Sequence, residues 1–422
     1  MKKKMVQINE KTVRNNLINL KQIVFEVTEK CNLKCSYCGL SDLYQAYDIR
    51  KNRDLSFEKA RLMIDYLQNI WRDNTILDTV NDMAISFYGG EPLMNMPLIK
   101  EIIDYIEQLK IPGRKFHYSM TTNGVLLDKY MDFLADKNFN LLISLDGDKK
   151  SHSYRVDHFG KNSFEQVFRN IRLLQNTHPE YFENFVFFIS VLHNRNEIEL
   201  IYDFFKSNFD KDSKIVALGT SGVSENKKQE FLKMYQSKEQ SLYKSSNCET
   251  IEAIYFLEMP NGYRLSRYIY YYSGNVFFDY NQLLLTKPDF EEVYTGTCLP
   301  FSKKLFLSAV GKILPCERID HSFSLGFIND DFVELDCKHV AEQFNYYSSK
   351  CVKQCIVCAT NKSCPQCVYQ IDYINDINNK STHCHNFCTQ EKFEKDNALV
   401  FNFLRQHPHY YEKVLKEIIF TL

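Results

Sequence analysis

Six short runs of apolar, β-branched or aromatic residues recur through the first half of the chain, and amphipathic segments separate them. Two of these segments, which begin at Ser56 and Leu98, place apolar residues at i, i+3, i+4 and i+7, the period of an α-helix. Strands that alternate with helices predict a parallel sheet with right-handed crossovers, closed or partly closed into a barrel. The predicted strands lie within residues 23–31, 83–92, 115–124, 141–147, 185–194 and 214–220.

Residues with unusual chemistry follow these predicted strands directly. Cys31 follows the first run, the segment GGEP (89–92) the second, the segment TTNG (121–124) the third, and Asp146 the fourth. In parallel barrels the functional groups sit at the carboxyl ends of the strands. We therefore expect a functional site at this edge of the predicted sheet.

Three cysteines stand close together in the string CNLKCSYC, with the spacing C-x3-C-x2-C. They are Cys31, Cys35 and Cys38. In ordinary iron–sulfur carriers four protein ligands close the cluster. A triplet on one short loop therefore predicts a four-iron cluster that leaves one iron open to another ligand. The alternatives are a zinc loop or an accidental grouping.

Composition limits the class of protein. At 422 residues, with 44% hydrophobic residues and 14% aromatics, the chain is long enough for two or three domains with a sizeable core. A net charge of -1 and a pI of about 6.8 give no electrostatic footprint for nucleic acid or an anionic membrane. The basic N-terminus is not followed by an apolar segment, and no run approaches the roughly 20 apolar residues of a membrane span. We therefore expect a cytoplasmic protein, where fourteen cysteines favour metal or redox chemistry over disulfides.

A second group of ten cysteines lies in the last third of the chain, so the sequence predicts two separate metal regions. Within it, CIVCATNKSCPQC has the spacing C-x2-C-x5-C-x2-C. Zinc is the rival of iron here, because C-x2-C pairs also build tetrahedral zinc ribbons. The ten are Cys298, Cys316, Cys337, Cys351, Cys355, Cys358, Cys364, Cys367, Cys384 and Cys388.

The cysteine triplet and the GGEP segment together resemble the radical S-adenosylmethionine (SAM) superfamily. The resemblance implies that SAM binds the open iron and that an electron from the cluster cleaves it to a 5'-deoxyadenosyl radical. For Thr122, Asn123, Ser190 and Asn196, a satisfied polar group at a turn or strand end is an equally good interpretation. The resemblance implies SAM contacts from Tyr37, Gly89, Gly90, Glu91, Thr122, Asn123, Ser144, Asp146, Arg155 and Ser190.

The second cysteine group resembles the SPASM extension of peptide- and protein-modifying radical SAM enzymes, which usually carries two auxiliary four-iron clusters. The chain departs from that pattern by placing two residues, instead of three, between Cys364 and Cys367. By resemblance, the first auxiliary cluster takes Cys298, Cys316 and Cys367, with Cys337 as the fourth ligand. The second takes Cys355, Cys358, Cys364 and either Cys384 or Cys388.

The predicted fold is α/β: a partial (β/α)6 TIM-like barrel followed by a cysteine-rich iron–sulfur domain. The aromatic run at 263–272 is interpreted either as core packing or as one wall of a peptide groove. The predicted divisions are an N-terminal extension (1–20), the barrel (21–225), a linker (226–290), the SPASM-like domain (291–393) and a C-terminal helical segment (394–422).

The function expected from this resemblance is hydrogen abstraction from a ribosomally made precursor peptide, leading to a C–S, C–O or C–C crosslink or a related side-chain oxidation. An electron donor such as a flavodoxin or ferredoxin would act as a second partner. Glu317, directly after Cys316, matches the carboxylate proposed as a base in sulfatase-maturating relatives, and a surface acid is the other interpretation. The alternative functions are formylglycine formation in sulfatases and, outside enzymes, an iron–sulfur or zinc binding protein.

Overall fold

The computed structural model describes residues 7–45, 48–72, 82–109, 111, 114–256, 259–273, 298–361, 364, 366–371, 373–375 and 382–420. The chain forms two compact units. We call Asn15–Cys248 with Phe301–Asp336 the barrel unit, and Met1–Arg14 with Glu249–Pro300 and Cys337–Leu422 the cysteine-rich unit. In the described ranges, no helix combines the length and apolarity needed to cross a membrane.

The six predicted strands are confirmed, and they pair in chain order as a parallel sheet. Each crossover contains at least one helix, as the alternating sequence pattern predicts. The strands are β1 (Gln22–Thr28), β2 (Asp82–Gly89), β3 (Lys115–Thr122), β4 (Asn140–Ser144), β5 (Val186–Leu192) and β6 (Ser213–Ala217).

The two helices expected from sequence period are also confirmed, as α2 and α3. Their buried apolar residues recur at helical spacing. Up to residue 254 the helices are α1 (Glu10–Ile18), α2 (Phe57–Arg72), α3 (Met96–Leu109), α4 (Leu127–Asp136), α5 (Phe164–Thr177), α6 (Pro179–Phe185), α7 (Ile198–Phe209), α8 (Lys228–Met234), α9 (Lys238–Tyr243) and α10 (Cys248–Ile254). The later ones are α11 (Pro260–Ser273), α12 (Cys337–Val357), α13 (Gln390–Gln406) and α14 (His409–Phe420).

Four short strands extend the sheet on the side of β1. The first of them runs parallel to β1, and the next three follow as an antiparallel meander. The sheet order is β10-β9-β8-β7-β1-β2-β3-β4-β5-β6, so β6 and β10 are its edges and the barrel is partial. The segment Phe301–Asp336 therefore belongs to the barrel unit, and the predicted SPASM-like limits of 291–393 stay a prediction. The added strands are β7 (Leu305–Leu307), β8 (Lys312–Leu314), β9 (Gly326–Ile328) and β10 (Val333–Glu334).

The two faces of the parallel sheet differ in burial. Along β4 and β5 every second residue is buried, as are Tyr118, Met120 and Thr122 of β3, and the intervening residues are partly or largely exposed. In β5, Phe188 is 1% exposed and packs on Phe205 and Phe209, whereas Phe187 is 49% exposed. Because successive strand residues point to opposite faces, one face of β3, β4 and β5 forms the core and the other is open to solvent, whereas β1 is buried on both faces.

The aromatic run at 263–272 falls on α11 of the cysteine-rich unit. Leu265 and Ile269 are buried in a core cluster that includes Val400 of α13 and Val414 of α14. Of the aromatic residues in the run, Tyr268 is partly buried against this cluster, whereas Tyr263 is 44% exposed, so the core-packing interpretation of the aromatics stays a prediction. The side chains of residues 270–272 lie outside the described part.

Replacement of a buried strand aromatic should weaken the barrel unit far more than replacement of its exposed neighbour. We expect Phe188→Ala to lower the free energy of unfolding by about 3–5 kcal/mol, and Phe187→Ala to lower it by less than about 1 kcal/mol. Trp71, the single tryptophan of the chain, lies on α2 of the barrel unit, so its fluorescence during urea unfolding reports on that unit. Equal losses in both variants would contradict the assignment of the two faces.

Candidate active site at the carboxyl ends of the strands

The three cysteines of the triplet lie on a loop that begins just after β1. Hydrogen bonds from Lys34 N to the carbonyl of Val156 (2.7 Å) and from Ser36 N to the carbonyl of Tyr154 (3.1 Å) fasten this loop to the segment before α5. All three cysteine side chains are partly exposed, and their thiols interact electrostatically with one another. The structure thus brings the triplet together at the predicted edge.

The thiols of this loop sit in a desolvated environment. Burial raises the pKa of Cys31 to about 11 and that of Cys35 to about 12. Metal ligation requires the thiolate, so loading a cluster would displace these protons. Without iron, both thiols are neutral at pH 7.

Gly89 and Gly90 are in close contact with the backbone of residues 28–30, which leads into the cysteine loop. Gly90 N donates to the carbonyl of Thr28 at 2.9 Å, and Glu91 N donates to that of Lys30 at 2.8 Å. A Cβ on Gly90 would overlap the Lys30 carbonyl oxygen and lie 2.8 Å from that of Glu29. Glycine is required here because two backbones touch, which explains the pair without a ligand.

Glu91 connects two loops through a buried carboxylate, 1% exposed. Its Oε1 accepts from Leu93 N at 3.1 Å and from Thr122 Oγ1 at 2.7 Å, and its Oε2 accepts from Asn123 N at 2.7 Å. Burial raises the pKa of Glu91 to about 7, against the effect of these donors. The carboxylate therefore holds the GGEP and TTNG segments together.

Asn123 continues this connection to the cysteine loop. Its Nδ2 donates to Asn32 Oδ1 at 2.7 Å and lies 3.8 Å from Cys31 Sγ. In turn, Asn32 Nδ2 is buried without a hydrogen-bond partner among the described residues. An orphaned buried donor beside Cys31 fits a site that is completed by a polar ligand.

A buried cluster joins Tyr37 of the cysteine loop to Asp146 and Arg155. Arg155 donates to both oxygens of Asp146, from Nε at 3.0 Å and from Nη2 at 3.1 Å, and the Tyr37 hydroxyl donates to Oδ2. Val191 N also donates to Oδ1 at 2.9 Å. Although burial alone would raise the pKa of Asp146, the Arg155 guanidinium holds it well below its usual range. The geometry gives Asp146 and Arg155 a structural task, positioning Tyr37, and SAM contact by them stays a prediction.

Two histidines that the sequence analysis did not single out complete this cluster. The His193 ring stacks on Tyr37 with centroids 5.5 Å apart, and its Nε2 lies 3.8 Å from Asp146 Oδ2. Asp146 N donates to His152 Nδ1 at 3.4 Å. Burial lowers the pKa of His152 to about 3, so this ring is neutral. Their signal in sequence was weak, because a histidine after a strand is common in loops.

The remaining predicted polar contacts divide into two kinds. Ser144 ends β4 on the solvent-open face of the sheet and is partly exposed. Ser190 is fully buried and donates to the carbonyl of Leu145 at 2.6 Å, and Asn196 Nδ2 donates to that of Asp146 at 3.2 Å. For Ser190 and Asn196 the interpretation as satisfied polar groups therefore fits the geometry.

Glu317 lies at the amino ends of the strands, opposite the carboxyl ends that carry the cysteine loop. Phe306 of β7 pairs with Val24 of β1 and with Leu314 of β8, so the residues after β8 lie near the start of β1. The amino and carboxyl ends of the strands are separated by roughly 20 Å, the length of the seven-residue strand β1. Lys304 Nζ pairs with both oxygens of Glu317 at 3.1 and 3.2 Å. Burial alone would raise the pKa of Glu317, but Lys304 holds it below its usual range.

Most of the second cysteine group lies in the cysteine-rich unit, whereas Cys316 belongs to the barrel unit. Cys298 and Cys367 interact electrostatically, as expected for two ligands of one cluster. Throughout the described ranges, no three His, Cys, Asp or Glu side chains surround a single-ion site. A four-iron cluster makes a different demand, since its cysteines are distributed over several irons. The predicted ligand sets stay predictions.

Comparison with known proteins defines the class. Residues 25–205 match the family model of the Radical SAM superfamily, a span that contains the cysteine loop, the GGEP and TTNG segments and the Asp146 cluster. This chain therefore carries a radical SAM domain. The resemblance of the cysteine triplet and the GGEP segment to this superfamily is confirmed, and so is the partial barrel, whereas the resemblance of the later cysteines to the SPASM extension stays a prediction.

Two relatives share sequence with part of this chain. The chain is 31% identical over 192 residues to a cysteine-type anaerobic sulfatase-maturating enzyme of Clostridium novyi, covering 44% of this chain and 48% of that protein. It is 30% identical over 185 residues to the radical SAM cyclopropyl synthase TigE of Paramaledivibacter caminithermalis, covering 41% of this chain and 35% of that protein. The matches thus span about half of the first relative and a third of the second.

The fold likeness extends further along the chain. Native anSMEcpe with bound AdoMet and Cp18Cys peptide covers 94% of this chain and 99% of its own, with 18% identity and a TM-score of 0.57. At this identity the likeness shows the fold alone.

The packing of Gly90 predicts a large effect of one methyl group. Gly90→Ala should displace the backbone before Cys31, so iron bound after anaerobic reconstitution should fall by about four atoms per chain. Gly219→Ala is the matched control, since the nearest atom to its Cβ would be Tyr44 Oη at 4.0 Å. Iron assay and absorbance near 400 nm measure both. Full iron content in Gly90→Ala would contradict the proposed coupling between the two segments.

Proposed function

We propose that this protein is a radical SAM enzyme that abstracts a hydrogen atom from a ribosomally made peptide and installs a crosslink or related side-chain oxidation. The observation that carries the proposal is the hydrogen-bond network at the carboxyl ends of the strands. There the cysteine loop, the GGEP segment and the TTNG segment are joined through Glu91 and Asn123. A non-catalytic metal protein has no need of this polar network beside its cysteines.

The residues of this edge have separate tasks in the proposal. Cys31, Cys35 and Cys38 would hold the four-iron cluster, and SAM would bind beside Glu91 and Ser144. When bound, cluster and SAM supply a radical that removes hydrogen from the substrate. Glu91 fixes the loops, and the Asp146–Arg155 pair fixes Tyr37, so the site is held rigid before any ligand arrives.

A peptide substrate fits the solvent-open face of the sheet. This face presents partly exposed residues on β3, β4 and β5, including Ser144 at the carboxyl end and Phe187 near the other end. A strand-length surface of this kind accommodates an extended chain better than a small molecule. The name of one relative, a sulfatase-maturating enzyme, supports action on a protein.

The proposal includes an electron donor, two auxiliary clusters and a cytoplasmic location. Hydrogen abstraction requires a reduced cluster, and a flavodoxin or ferredoxin would supply the electron that reduces it. Cysteines of the second group would hold the auxiliary clusters, which accept the electron left after hydrogen abstraction. The cytoplasm keeps such thiols reduced.

Formylglycine formation is the second candidate, favoured by the 31% identity over 192 residues to the Clostridium novyi enzyme. The two candidates are separated by substrate. A synthetic peptide with a sulfatase-type active-site cysteine should lose mass as an aldehyde forms if the second candidate is correct. A short peptide encoded beside the gene should be modified if the first is correct.

The triplet should be essential for SAM cleavage. With Cys31, Cys35 and Cys38 all changed to Ala, 5'-deoxyadenosine formation from SAM under reducing, oxygen-free conditions should fall to background, because the open iron is lost. Iron held by the later cysteines should persist, which serves as the folding control. Unchanged SAM cleavage in this variant would leave the protein without its proposed radical site, and absence of cleavage in the parent would favour a binding protein.

Glu317→Gln tests the predicted role of Glu317 as the base that takes a proton from the substrate. A base must lie within hydrogen-bond reach of that proton, whereas Glu317 lies roughly 20 Å from the cysteine loop and pairs with Lys304 and Arg318. We therefore expect the variant to form modified peptide and 5'-deoxyadenosine at the parent rate. Iron content is the control, since Glu317 adjoins Cys316. A fall in modified peptide by about 100- to 10,000-fold, with iron and 5'-deoxyadenosine unchanged, would instead support the base role.

A further inference from the structure

The most exposed large apolar side chain of the described residues stands on a tight turn of the barrel unit. Phe159 is 97% exposed. Asp157 Oδ1 accepts hydrogen bonds from Phe159 N and Lys161 N, both at 2.9 Å, and Gly160 has a φ of 80°. Asp157 N donates to the Lys161 carbonyl at 2.9 Å. Residues 157–161, which we call the Phe159 turn, are therefore held by their own hydrogen bonds, and the exposed ring is not needed to hold them.

The Phe159 turn is joined to the cysteine loop. His158 Nε2 donates to the Cys31 carbonyl at 2.9 Å. Leu33 and Asp157 form an antiparallel bridge. A partner that binds the turn therefore sits beside the first cysteine of the triplet.

The exposed charges around the turn are mainly positive. Lys161 belongs to the turn, and Lys34 N donates to the carbonyl of Val156, the residue before it. Both lysine side chains are exposed, and neither forms an ion pair within the described part of the chain. The carboxylate of Asp157 is engaged by two amides of the turn. The Phe159 turn therefore presents an aromatic ring together with unpaired cations.

An exposed aromatic ring in a charged surround has the composition of a small protein interface. Binding energy at interfaces concentrates in aromatic anchors that are surrounded by polar residues. Electron-transfer partners meet through interfaces at the low end of the size range, and complementary charge raises their rate of association. A peptide substrate is the rival occupant, but a single projecting ring provides no groove for an extended chain.

We propose that the Phe159 turn, with Lys34 and Lys161, is the docking surface for the acidic one-electron carrier protein that reduces the cluster of the triplet. This inference rests on the proposed function, which places that cluster on the cysteine loop. One electron passes from the reduced carrier to the cluster, so the carrier is oxidised and the cluster is reduced, with no bond made or broken. Proximity to Cys31 and the sign of the exposed charge select this partner.

The experiment uses the full chain, anaerobically reconstituted, and an acidic flavodoxin as the probe. Isothermal titration calorimetry with oxidised flavodoxin measures binding without turnover. Phe159→Ala should raise the dissociation constant by about 10-fold, because one aromatic anchor is lost. Lys161→Glu should raise it by about 5-fold at low salt, and this effect should shrink at about 0.5 M salt because screening weakens charge pairs.

Two matched variants carry the same changes elsewhere in the barrel unit. Phe332, 53% exposed, precedes β10 at the far edge of the sheet, and Lys115 is exposed at the amino end of β3. Phe332→Ala and Lys115→Glu should bind flavodoxin as the parent does, and iron content shows that the cluster is loaded in every variant. With reduced flavodoxin as donor, 5'-deoxyadenosine formation should fall in Phe159→Ala. With dithionite it should stay at the parent rate, because a small reductant needs no docking surface.

Parent-like flavodoxin binding in Phe159→Ala and Lys161→Glu, or equal losses in the two matched variants, would overturn the assignment. Normal flavodoxin binding with weakened peptide binding in Phe159→Ala would overturn it too, because the turn would then belong to the substrate. Absence of dithionite-driven SAM cleavage in the parent would defeat the proposed function, while the dissociation constants would still decide the docking surface. Selective losses in the two turn variants support the inference.

Discussion

The site depends on a close contact between two backbones at the carboxyl ends of β1 and β2. Gly90 lies so near to residues 28–30 that no side chain fits between them. This contact places Glu91 N against the carbonyl of Lys30 and buries the Glu91 carboxylate, where one donor from its own segment and two from the TTNG segment satisfy it. Loss of a donor to a buried acceptor costs free energy, so these hydrogen bonds hold the cysteine loop in a fixed position relative to the sheet.

The order and position of the six parallel strands could be predicted because each is a compact apolar run bounded by amphipathic helices. The site could be located for the same reason, since cysteine, glycine and acidic residues follow those runs directly. Strands β7 to β10 were not predictable, because runs of two or three residues carry no measurable period. The pairing of Asp146 with Arg155 was also hidden, because sequence spacing does not show whether two polar groups satisfy each other or a ligand.

The central claim is that three thiolates hold a cluster whose fourth iron is open to SAM. Electron paramagnetic resonance of the anaerobically reconstituted, dithionite-reduced protein tests it most directly when spectra are recorded with and without SAM. The account predicts that SAM changes the signal of one cluster and leaves the others unaltered, because only the cluster held by Cys31, Cys35 and Cys38 would have an iron open to SAM. Identical spectra in the presence and absence of SAM would contradict it.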